Sequence, residues 1–200
     1  MTDERPPDSG PALDDELIAG RREFAPPDDM PPWMARTVYG IDKFNAAVGR
    51  AVCWLVVPIF AAMTVEVVMS KFFTPTLWAF DVSRMLYGAL FMLGSGYALM
   101  RGVHIRADFL YRLWPAKVQG AVDFFLYLIF YFPGMLLFLW TSADYTMEAW
   151  ERDERLDDTA WRPLAAPARA AMPVGAFLLL VQGISELLKS YYAMTRGREK

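Results

Sequence analysis

The chain reads as an all-α integral membrane protein: four transmembrane helices, N and C termini cytoplasmic, and short amphipathic helices at the interface. Composition, the length of its apolar segments and the placement of positive charge lead there. Hydrophobic residues make up 55% of the 200 residues and aromatics 15%, against about 45–50% apolar residues in an ordinary soluble domain. The net charge of −3 hides an asymmetry. Residues 1–32 carry nine acids and three bases, and residues 144–169 carry seven acids and four bases. What remains is apolar with basic edges, the pattern of a membrane domain bearing two acidic appendages.

Residues 1–32 form the first unit, a disordered, acidic, cytoplasmic tail. Its seven prolines and acid excess leave little to bury. It has no basic segment followed by an apolar one, so it is not a cleavable signal peptide. The membrane domain spans 33–192. Trp33, Thr37, Ile41, Phe44 and Val48 recur at helical spacing, which makes either an amphipathic interfacial helix or the polar first turns of the first span. The spans are about 47–69, 80–100, 122–143 and 170–188. Within them Ala51–Val65, Met85–Met100, Phe124–Ala143 and Ala170–Ser185 are free of charge, and about 20 mainly apolar residues suffice to cross a bilayer. The third segment has no polar face, which argues against a soluble bundle. A basic cytoplasmic tail, 193–200, ends the chain. Pro58 and Pro133–Gly134 predict bends in the first and third spans.

Orientation follows from Lys and Arg near the spans. The N-terminal flank, the second connection and the C-terminal tail together hold eleven, and the first and third connections five. Both termini and the second connection are therefore expected in the cytoplasm. Trp78 and Trp140 then anchor the outer interface and Trp114 the inner one.

A transporter, pump or membrane enzyme needs polar groups at membrane depth, where they are costly. Arg50, Asp81, Arg84, Asp123 and Glu186 all stand near span ends. Glu66 lies about 28 Å along the helix from Ala47, close to the outer interface. It is read as an interfacial carboxylate, with an ion pair to Lys71 or to a partner protein as the alternative. No proton relay or cation site is evident, so catalytic residues, metal ligands and cofactors are expected to be absent from this chain. One cysteine, Cys53, and one histidine, His104, exclude a disulfide framework and multi-histidine metal or haem centres. Nothing points to nucleic acid. The spans do carry small residues: Gly94, Ala98 and Gly102 on the second, Gly175 and Gly183 on the fourth. These suit close helix packing, within the chain or with a partner.

The second connection reads Arg101-Gly-Val-His-Ile-Arg-Ala-Asp-Phe-Leu-Tyr-Arg-Leu-Trp-Pro115. Asp108 is placed to cap a short helix and to pair with Arg112. Its apolar face and basic residues suit an interfacial helix in contact with membrane lipids. The pattern His104-Ile-Arg106-x-Asp108, then Leu-Tyr-Arg-x-x-Pro between the second and third of four spans, resembles the small permease subunit (DctQ type) of TRAP, tripartite ATP-independent periplasmic, transporters. The resemblance runs from Ile41-Asp42 to Tyr192. It takes in Gly49-Arg50, Trp78, Leu90–Leu99, Pro173 and Gln182-Gly183-Ile184. Lys71-Phe72 stand where members often have Arg-Tyr, and Asp81 is the nearest acid where a Glu commonly follows the Trp.

The resemblance implies a bacterial inner-membrane symport system with three parts. A periplasmic solute-binding protein delivers an organic acid or similar solute. A large permease subunit (DctM type) holds the sodium and substrate sites. The small subunit packs beside it as scaffold. The acidic connection 144–169 is then a solvated loop or a contact for the binding protein. Two other readings compete. A redox membrane anchor needs haem or quinone ligands, which one non-membrane histidine does not supply. A stand-alone homodimeric transporter needs a midplane carboxylate, and Glu66 is misplaced for that.

Overall fold

The computed structural model describes residues 30–101, 116–157 and 159–196. Most of the acidic tail, the segment 102–115 with His104, Arg106, Asp108 and Trp114, and the last four residues lie outside them. Among the described residues six α-helices follow in order: α1 Pro32–Cys53, α2 Val56–Phe72, α3 Ala79–Met100, α4 Ala116–Leu126, α5 Phe132–Glu151 and α6 Ala165–Arg196. Among the described residues the only β pairing is one bridge, Arg155 with Leu164.

The helices group into four rods. α1 and α2 make one 41-residue run, Pro32–Phe72. Pro58 explains why it is not a single helix. Its missing N–H leaves the Trp54 carbonyl without the usual partner, and its ring crowds that oxygen. The backbone tightens there. Trp54 N–H donates to Ala51 O at 3.2 Å, Leu55 N–H to Val52 O at 2.9 Å and Val57 N–H to Trp54 O at 3.1 Å. The Pro58 break thus falls one turn before the proline. α4 and α5 are joined by a π-turn, Tyr127–Tyr131. Pro133 follows in the first turn of α5, and the wider turn accommodates its lost donor.

Among the described residues three runs are long and apolar enough to cross a membrane: Pro32–Phe72, Gly120–Glu151 and Ala165–Thr195. α3 is a 22-residue helix but is more polar, with Asp81, Ser83 and Arg84 in its first turns and Gly94, Ser95 and Gly96 further on. The α6 rod is the centre of the fold. In its most apolar stretch 44% of residues are buried, against 11% and 6% in the other two runs. α3, α4, α5 and part of α1 pack around it. α2 leans on α3 and exposes Val56, Val57, Phe60 and Val67. An all-round apolar surface of this kind belongs in lipid or against a partner.

Candidate functional site

The sequence places small and polar residues on one stripe of α1. Asp42, Asn45, Ala46, Gly49 and Val52 are buried, while Trp33, Tyr39 and Phe44 face out. α6 carries a matching stripe, Gln182, Ser185, Glu186 and Lys189, at spacings of three and four that put all four on one face. The stripes meet. Gln182 Nε2 donates to Asp42 Oδ1 at 2.9 Å and Ser185 Oγ to the same oxygen at 2.8 Å. Asn45 Nδ2 donates to Gln182 Oε1 at 2.9 Å. Lys189 Nζ bridges Asp42 Oδ2 and Glu186 Oε1, each at 2.9 Å.

Every side-chain donor in this chain of bonds has a named acceptor. Both Asp42 oxygens are used. The space between the two carboxylates, where a cation would bind, is filled by the ammonium of Lys189. The cluster therefore holds α1 and α6 in one register rather than presenting an open ligand site. Shifting either helix by one residue would strand buried polar groups, a costly outcome. α3 closes the third side. A methyl group on Gly96 would stand 2.8 Å from Asn45 Oδ1, and one on Gly49 2.5 Å from the Tyr97 ring.

The opposite end of α6 has its own ties. The connection 152–164 is folded back on itself. Leu156 N–H donates to Pro163 O at 2.9 Å and Ala165 N–H to Glu154 O at 2.8 Å. Asp153 and Arg162 adopt left-handed φ of 47° and 46°. Arg169 grips both Glu154 oxygens, at 2.6 and 2.5 Å, and stacks 3.8 Å from the Tyr145 ring centroid. The hydrogen bonds from Arg169 hold the Glu154 carboxyl below its ordinary value. Thr159 donates its hydroxyl to Asp81, which is fully buried at the start of α3. Glu66 accepts the Thr76 N–H at 3.1 Å and the Thr76 hydroxyl, and so closes the turn between α2 and α3.

The other residues singled out from the sequence are dispersed. A methyl group on Gly175 would come within 2.6 Å of the Met92 carbonyl oxygen, and one on Gly183 would collide with the Tyr131 ring. Gly94 has open space around it, and Ala98 is half-buried. Trp78 and Trp140 are exposed. Gly102, His104, Arg106, Asp108 and Trp114 lie outside the described residues. In the sequence Asp42 and Gln182 stood out only as part of the resemblance and Ser185 only as the end of a charge-free run, none with a role, and nothing drew attention to Asn45 or Tyr131. Tyr131 packs on Gly183 and donates to the Leu179 carbonyl at 2.7 Å. One signal was available: Gln182 is the most polar residue in a stretch otherwise free of charge, and such a group needs a partner.

A family model described as tripartite ATP-independent periplasmic transporters, DctQ component, matches residues 59–191. Comparison with curated proteins and with solved structures found no match.

Proposed function

The chain belongs to the DctQ family, the small permease subunit of tripartite ATP-independent periplasmic transporters, and we propose that it is the rigid membrane scaffold of such a system. The observation that carries this reading is the Asp42–Gln182–Lys189 cluster, whose polar groups are spent on one another. A chain that moved substrate or ion through itself would keep polar groups free at depth. On this reading a large DctM-type subunit holds the sodium and substrate sites. A periplasmic binding protein delivers an organic acid or similar solute to it. α3 completes a set of four spans, with both termini in the cytoplasm and the connection 152–164 outside the inner membrane. Trp161 within it and Trp150 just before it are both exposed, which makes that connection the natural contact for the binding protein. The stand-alone transporter is disfavoured because Glu66, its best carboxylate, is engaged by Thr76.

The test is purification of tagged protein from native membranes in mild detergent, followed by mass spectrometry. A stoichiometric large polytopic protein is the expected companion. Recovery of this chain by itself, where a control membrane complex survives, overturns the scaffold reading. Single cysteines at Asp153 and Thr195, in a Cys53→Ser background, test orientation with an impermeant thiol reagent. Labelling of position 195 from outside intact cells would reverse the assignment.

A further inference from the structure

Beyond the scaffold role, we infer that the flank of α4 is a binding site for one anionic phospholipid. A groove of about 480 Å³ runs along this helix, lined by Val118, Ala121, Val122, Phe125 and, from α6, Met194, with Lys117 at its mouth. The lining follows from two local facts. Residues 117, 118, 121, 122 and 125 share one helical face. The opposite side of α4 is drawn tightly onto α6 at Gly120, where a methyl group would stand 2.5 Å from the Met194 nitrogen.

Three observations commit the groove to a lipid. Its walls are apolar except at one end. Among the described residues Lys117 makes no ion pair or hydrogen bond, whereas Lys189 is committed to two carboxylates. The third span begins at about residue 122, with its charge-free stretch from Phe124, so Lys117 stands about 7.5 Å before the span along the helix, at headgroup depth. An ammonium there, with no carboxylate partner among the described residues, at the end of an apolar groove along the helix, matches a phosphate above an acyl chain. Basic pockets between membrane helices bind anionic headgroups for this reason. A partner helix covering the same face would bring no charge to Lys117 unless it carried an acid there.

The experiment uses the full chain with whatever partners co-purify, transferred to nanodiscs of equal parts phosphatidylglycerol and phosphatidylcholine. Native mass spectrometry of the released complex is expected to retain phosphatidylglycerol about fivefold over phosphatidylcholine, the discrimination expected of one basic residue at an anionic surface. Lys117→Gln should abolish the preference. Ala121→Trp, which fills the groove, should remove the retained lipid altogether. Lys43→Gln, a change at an exposed cation on α1, should leave the preference intact. Equal retention of the two lipids by the unaltered chain, or undiminished preference in Lys117→Gln, overturns the proposal. A photo-crosslinking residue at Phe125 keeps it falsifiable if Ala121→Trp does not fold. A lipid adduct is expected there, and a protein adduct instead would show that a partner helix occupies the face and overturn the site.

Discussion

Asp42 accepts from three side chains and Lys189 donates to two carboxylates, so the two residues are unequal partners in one cluster. Removing Lys189 leaves two buried acids facing each other, whereas removing the Ser185 hydroxyl deletes one bond of three at Asp42. Breaking a buried ion pair from one side costs about 3–5 kcal/mol, and a single hydrogen bond between membrane helices averages about 0.6 kcal/mol. Lys189→Met is therefore expected to destabilise the fold by about 3 kcal/mol or more, and Ser185→Ala by less than about 1 kcal/mol, read from reversible unfolding in mixed micelles. A second contrast concerns the glycines. Gly175→Ala drives a methyl into the Met92 main-chain carbonyl, which cannot rotate away, and overpacking of this kind costs about 1–3 kcal/mol. Gly94→Ala meets nothing and should lie within about 1 kcal/mol of the parent, on the stabilising side. The same unfolding series checks both.

The connection between α5 and α6 is an element in its own right, held by the Arg169–Glu154 pair and by Thr159 on Asp81. The sign of its acid response follows from Glu154, whose carboxyl is held below its ordinary value by Arg169. The contribution of this pair is complete at neutral pH and declines progressively once pH falls below the ordinary carboxylate value. It is gone once pH has dropped below the depressed value. Fluorescence of Trp150 and Trp161 is expected to report that loosening in acid. Glu154→Gln should show the loosened signal already at neutral pH. An unchanged neutral spectrum in that variant would separate the folded connection from this pair. The sequence reading allowed a solvated loop here, because seven acids and four bases between 144 and 169 look like a solvated run. What it could not supply was the return of Ala165 N–H onto the Glu154 carbonyl, a pairing between main-chain groups that leaves no mark in residue type.

At the scale of the whole molecule, legibility divided along a physical line. Helices announce themselves by the length of a charge-free run, a local property, and Phe124–Ala143 or Ala170–Ser185 could be found by counting. Proline effects are also local, which is why Pro58 and Pro133 pointed to the right neighbourhoods. The buried cluster is non-local. Asp42 looked like one acid on an interfacial helix until Gln182, Ser185 and Lys189 came round to meet it. The centrality of α6 was equally hidden, since its apolar run is no longer than the others. Because α6 carries most of the packing, truncation before Glu186, which removes Lys189 and the end of α6, is expected to abolish the cooperative unfolding transition of the entire domain rather than fray one end. Circular dichroism during detergent titration measures this. A transition of undiminished sharpness would show that α1, α3 and α5 hold together without that end.

The distance in the chain between Asp42 and Gln182, 140 residues, has a consequence for biogenesis. Translation proceeds at about 5–20 residues per second, so the Asp42 carboxylate enters the membrane about 7–30 s before its partners are made. During that interval the nascent first helix carries an acid whose partners have not yet been made. A chain cut short before the last helix therefore keeps an Asp42 carboxylate without the Gln182, Ser185 and Lys189 partners that meet it in the complete chain.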